Sequence, residues 1–226
     1  MPTGSRWPGT TARPIPPTER VAGPYVRRAG RAGLLDGSTL LWSIAEGARG
    51  ARWRASTHRD GELLADLLLE VGTNGRPGRL EITTPAGQLT LHPEHDGRSA
   101  HGNVVSVDGV RPLAFDWSPR HWFEGRQGPV VSAAMCRALR SEVGVGEFRL
   151  VPGLHVDDAL RVWRGQRGVT RMTESRWRIE EADESGWELS LDEEGLPILE
   201  AGEWRTPASA VAPLWQLEVS GDERAS

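Results

Sequence analysis

Apolar and polar residues alternate along most of this chain in short runs, and Asp-Gly, Asn-Gly and Ser-Gly dipeptides punctuate those runs. A period of two marks a half-buried strand, and glycine after Asp or Asn marks a tight hairpin turn. Residues 25–42 therefore read as two short strands around Leu35-Asp36-Gly37-Ser38. Residues 63–71 read as a strand entering a hairpin at Thr73-Asn74-Gly75-Arg76, since nearby glycines outweigh the helical spacing of its leucines. Pairing continues through 79–83 and 88–92 across Pro85-Ala86-Gly87. A polar loop at 93–102 then leads to a strand at 103–107, which turns at Asp108-Gly109 into 111–117. Further strands are predicted at 147–151, 160–164, 169–178, 187–191 and 197–200, with turns at Asp183-Glu184-Ser185-Gly186 and Glu193-Glu194-Gly195.

One window departs from this rhythm. Between 129 and 142, Val130, Val131, Ala134, Met135, Ala138 and Leu139 recur at helical spacing, and Gly144 and Gly146 stop the run. The pattern thus predicts a mainly β protein, an antiparallel β-sandwich or an incomplete β-barrel with one mid-chain helix that the sheets wrap. Residues 25–219 form the β-rich domain, with a boundary near 145 dividing it into halves 25–145 and 146–219. Residues 1–24, rich in Pro, Gly, Thr and Arg, read as a disordered N-terminal tail, and 220–226 as a disordered C-terminus.

Composition sharpens this picture. Ten tryptophans stand beside one tyrosine and three phenylalanines, and all 27 basic residues are arginine. Every cation is then a planar fork of donors that grips carboxylate or phosphate and stacks on an indole. The single cysteine, Cys136, has no internal partner for a disulfide, which fits a reducing cytoplasmic setting. No stretch resembles a secretory signal or a membrane-spanning helix, so no integral membrane association is expected. The net charge of -4 implies no partner by itself. Arginines crowd the N-terminal part and acids the segment 174–203, which favours mutual neutralisation over nucleic-acid binding.

Catalytic motifs are weak. His92, His95, Asp96 and His101 cluster in a polar loop without the geometry of a zinc site, so no metal or cofactor is expected. Ser132 and Cys136 are the candidate nucleophiles, with His121 or His155 as base and Asp116 or Asp157 as orienting acid. No nucleophile elbow surrounds Ser132, and Cys136 lies on the apolar side of the helix. Gly47-Ala48-Arg49-Gly50 and Gly144-Val145-Gly146 lack the spacing of phosphate loops.

The indole and guanidinium set remains. Arg-Trp-Arg occurs at 52–54 and at 176–178, where arginines share one face of an extended strand and tryptophan takes the other. The recurrence also raises a half-to-half duplication. The leading expectation is noncatalytic binding of a small amphipathic or lipid-like anion in a Trp- and Arg-lined β-barrel pocket, through Trp42, Glu46, Arg52, Arg54, Trp117, His121, Arg176 and Arg178. The alternative is a β-barrel cyclase or isomerase drawing acid-base assistance from Glu46, Asp116 or His121. The ligand's identity and the oligomeric state are not legible in these residues.

Overall fold

The computed structural model describes residues 27–34, 37–125, 129–180, 186–198 and 215–218. Eight strands come first: β1 (Arg27–Leu34), β2 (Thr39–Gly47), β3 (Gly50–Arg59), β4 (Glu62–Val71), β5 (Pro77–Thr84), β6 (Gly87–Pro93), β7 (Ser99–Ser106) and β8 (Gly109–Asp116). A short β9 (Trp122–Gly125) and the helix α1 (Val130–Leu139) follow. Then come β10 (Phe148–Val156), β11 (Val162–Arg171), β12 (Arg176–Glu180), β13 (Gly186–Leu191), β14 (Pro197–Ile198) and β15 (Trp215–Glu218). The fold is mainly β with one helix among the described residues, as the alternation predicts.

Sheet A is an antiparallel meander of β1 to β8, and β15 pairs with the other side of β1 to make nine strands. Period two decides β4 despite its leucines: Ala65, Leu67, Leu69 and Val71 are buried, and the residues between them are not. The turn before it, Asp60-Gly61, has positive φ at both residues, 51° and 85°, the geometry that suits a two-residue hairpin.

Sheet B has the order β14-β13-β12-β11-β10-β9. Among the described strands only β9 runs parallel to its neighbour, β10, and a parallel neighbour needs a crossover, which α1 supplies. The helix packs on β3 of sheet A and on both β9 and β13 of sheet B. In a flat sheet β9 and β13 would lie four strand spacings apart, roughly 19 Å, nearly twice the width of a helix. Sheet B therefore curves around α1 as a half-barrel. Eight helix residues are buried, among them Val131, Met135 and Cys136, and a single apolar core joins them to both sheets.

The C-terminal end of α1 is held from sheet B. Arg171 donates to the carbonyls of Arg140 and Val143 at 3.0 and 3.1 Å and pairs with Glu174, so it satisfies the open acceptor at the helix cap and another in the turn just beyond it. The loop after β10 ties back to sheet A, with Thr84 donating to the Asp158 carbonyl and Arg111 to that of Leu160.

Several boundaries differ from the sequence pattern. Residues 43–59 make a hairpin of β2 and β3 whose tight turn closes at Gly50, where φ is 111°. The loop expected at 93–102 is shorter, because β7 begins at Ser99. β11 runs unbroken through Arg171, and the break expected near 165 is instead a turn at 172–175. β9 had no alternation to announce it, since Trp122, Phe123 and Glu124 are all buried. The halves 25–145 and 146–219 also exchange elements: β9 joins sheet B and β15 joins sheet A. The tails at 1–24 and 220–226 and the turn at Asp183-Glu184-Ser185 lie outside the described residues. Among the described residues, no helix is long and apolar enough to cross a membrane.

Candidate functional site

The residues expected to bind ligand fall in different places. Trp42 is buried on the inner face of sheet A, its indole lying over Gly30 on the neighbouring strand. Glu46, at the end of β2, pairs with Arg137 of α1. The two Arg-Trp-Arg segments have one orientation: Trp53 and Trp177 face the core, and the arginines face solvent. Arg52 pairs with Glu70 at 2.9 Å and Arg54 with Asp66 at 3.7 Å on the outer face of sheet A. Arg176 pairs with Glu188, and Arg178 with Glu180 at 3.1 Å, on the outer face of sheet B. The cations set over Trp53 and Trp177 are Arg137 and Arg171, at 6.0 and 5.8 Å from the ring centres.

Trp117 and His121 do belong together. Trp117 is buried against Phe123, with ring centres 4.9 Å apart, and the His121 ring packs on it at 5.3 Å. His121 Nδ1 shares a 2.7 Å hydrogen bond with the Ser118 hydroxyl. Burial first, and then the Arg164 charge, hold this imidazole below its ordinary value, against the opposing pull of the Ser118 backbone and Asp116.

His121 stands at one end of a groove on the outer face of sheet B. The groove has a volume of about 650 Å³ and follows the seam of β10 and β11, with Phe148, Leu150 and Pro152 on one side and Gln166, Gly165 and Gly168 on the other. At the His121 end stands Arg164, paired with Asp116 at 2.7 Å; at the far end stands Glu180. The absence of a side chain at Gly168 lets the Phe148 ring lie down: a Cβ there would fall 2.9 Å from Phe148 Cε2. Phe148 and Leu150 are about half exposed, 51% and 54%, so the groove presents apolar surface to solvent.

A second cluster lies on the inner face of the same strands. Register places Glu124 of β9 beside His155 of β10, and His155 opposite Trp163 of β11. Glu124 is buried, and Arg167 reaches it from β11 at 3.6 Å. The His155 ring stacks on Trp163, centres 5.6 Å apart, and occupies the space a side chain at Gly165 would take. Cys136 of α1 faces this cluster: burial pushes its thiol well above the ordinary value, and the Glu124 charge adds to the effect. Fully buried on α1, Cys136 packs as a small core residue. Asp157 pairs with Arg161 at 2.7 Å.

No motif in the sequence singles out Glu124 or Arg167, and it offers His155 only as a partner for a nucleophile. A carboxylate directly after Trp122-Phe123 was the one available signal, because charge inside an aromatic run needs a buried partner.

The fold and these sites define a β-sandwich whose smaller sheet is a half-barrel around one helix. No family model matches the chain, and no curated protein matches it. Among solved structures it is similar to a DUF1089 family protein from Pseudomonas aeruginosa, at 19% identity and a TM-score of 0.45, over 87% of this chain and 95% of that one.

Proposed function

We propose that this protein is a noncatalytic binder of a small amphipathic anion, held in the groove on the outer face of sheet B. The observation that carries the reading is the groove's polarity: an apolar wall of Phe148, Leu150 and Pro152 leads to Arg164 and His121. Its volume, about 650 Å³, falls within the range typical of small-molecule sites. Arg164 is available to a ligand at little cost. Its partner Asp116 is 88% exposed, and exposed ion pairs contribute only about 0 to 1 kcal/mol, so a carboxylate or phosphate head can take Asp116's place. The hydrocarbon part then covers Leu150 and Phe148.

The test is titration of the full chain with dodecanoate and dodecyl phosphate, followed by thermal stabilisation and by the ring resonances of His121. Both anions are expected to bind saturably. Arg164→Gln weakens binding by about 1.5 to 3 kcal/mol, the range for hydrogen bonds to charged groups, and Leu150→Asp abolishes it. Absence of binding, or binding indifferent to both substitutions, overturns the reading.

A further inference from the structure

The outer groove of sheet B carries opposite charges at its two ends, Arg164 at one and Glu180 at the other. Register puts them on one face: Leu154 stands opposite Arg164, Leu150 opposite Gly168, and Gly168 in turn opposite Glu180 on β12. The two are thus four residues and one strand apart, about 14 Å at a rise of roughly 3.3 Å per residue and a strand spacing of roughly 4.8 Å. Side chains stand roughly perpendicular to a sheet, so the charged groups keep a separation of that order. They do not neutralise one another, because Arg164 pairs with Asp116 and Glu180 with Arg178. Phe148, Leu150 and Pro152 supply the apolar stretch between them.

The Glu180 end leaves its carboxylate within reach. Its cross-strand neighbours on both sides are glycines, Gly168 on β11 and Gly186 on β13. A Cβ at 168 would stand 3.2 Å from Glu180 Cβ, and one at 186 would stand 3.4 Å from Glu180 Cγ, so a side chain at either position would crowd it. Arg178 meets Glu180 at 3.1 Å, and both side chains are open to solvent, 46% and 33% exposed. Such a pair is exchanged at little cost. Arg178 also has Glu188 directly opposite on β13, so it keeps an anionic neighbour when Glu180 takes another partner.

We infer that the groove's ligand has two charged ends: an apolar chain with a carboxylate or phosphate at one and a protonated amine at the other. The inference rests on the groove reading above and extends it to the far end. The acid group takes Asp116's place on Arg164, the chain covers Leu150 and Phe148, and the ammonium takes Arg178's place on Glu180. A plain fatty anion satisfies one end alone and sets its terminal methyl beside a carboxylate. A four-carbon chain falls short of the span.

The full chain is titrated by calorimetry at neutral pH with dodecanoate, 12-aminododecanoate and 12-hydroxydodecanoate, the last ending in a polar group without charge. The amine is expected to bind about threefold or more tighter than the alcohol, the order an exposed ion pair supplies. Between 4-aminobutanoate and 4-hydroxybutanoate no such preference is expected. Glu180→Gln removes the preference for the amine and leaves dodecanoate binding unchanged. If dodecanoate binds and the amine is not preferred over the alcohol, the inference is wrong and the groove reading stands. A preference that survives Glu180→Gln overturns it too, because the amine then sits elsewhere. If none of the twelve-carbon chains binds, the groove reading itself fails and takes this inference with it. The comparison of amine with alcohol on the unaltered chain decides the matter even if Glu180→Gln does not fold.

Discussion

The Arg171 guanidinium lies 5.8 Å from the centre of the Trp177 ring while donating to the carbonyls of Arg140 and Val143, at the end of α1 and in the turn just beyond it. One side chain therefore joins β11, β12 and the helix. Arg171→Met keeps much of the apolar stem but leaves the Arg140 and Val143 carbonyls without this donor. Each unsatisfied buried acceptor costs about 1 to 3 kcal/mol, so a loss of about 2 to 5 kcal/mol is expected in urea unfolding. A loss below about 1 kcal/mol would show that the end of α1 does not depend on Arg171.

The four outward arginines are expected to behave in the opposite way. Arg52 and Arg176 are 66% and 55% exposed at their side chains, with surface partners on adjacent strands. Arg52→Ala and Arg176→Ala should each change stability by less than about 1 kcal/mol, as exposed pairs do, and leave dodecanoate binding unaltered. Trp53→Ala and Trp177→Ala, each removing a fully buried indole, should cost about 3 to 5 kcal/mol. Chemical denaturation of the four variants in parallel separates the two faces.

Acid sensitivity should reside partly in His121. Its folded-state value is depressed, so the unfolded chain binds the proton more readily than the folded one. Stability contributed by neutral His121 is therefore complete above its ordinary value near 6.5, and falls as pH drops below that value toward the depressed one. His121→Gln should flatten the melting temperature between pH 7 and 5. An identical pH profile in the variant would place the sensitivity elsewhere. A bound anion beside the ring favours its protonation, so dodecanoate should also bind more tightly as pH falls through the same window.

Much of the architecture was legible because period two is a strong signal where one face is buried and the other wet. β4 shows this, with Ala65, Leu67, Leu69 and Val71 inward. The helix was legible because Val131, Ala134, Met135 and Leu139 recur at its own period, and all are buried. β9 was not, since both of its faces are covered and Trp122-Phe123-Glu124 shows no alternation. The Arg-Trp-Arg segments showed that arginine and tryptophan part to opposite faces, but not which face is wet; burial decides that, and a large indole outweighs two solvated guanidiniums. The candidate sites were largely hidden because both depend on which residues the register makes neighbours. Gly153 meets Gly165, Leu150 meets Gly168 and Leu154 meets Arg164, pairings between strands that no local motif encodes.

Rings lying on glycines recur in this fold: Trp42 on Gly30, His155 on Gly165 and Phe148 on Gly168. The last gives a way to change the outer groove without touching the core. In Gly168→Ala the new Cβ meets Phe148 Cε2 at 2.9 Å and Glu180 Cβ at 3.2 Å, and the half-exposed Phe148 side chain can swing aside. Alanine also restores backbone propensity of roughly 0.5 to 1 kcal/mol in a strand interior, so net stability should change by less than about 1 kcal/mol while dodecanoate binding weakens. Gly102→Ala is the contrast. Its Cβ would press on the Thr90 carbonyl and the backbone of Leu91, which have nowhere to go, and a cost of about 1 to 3 kcal/mol or more is expected. If Gly168→Ala is as costly as Gly102→Ala, Phe148 is held in place by more than its glycine, and the groove is more rigid than its exposure implies.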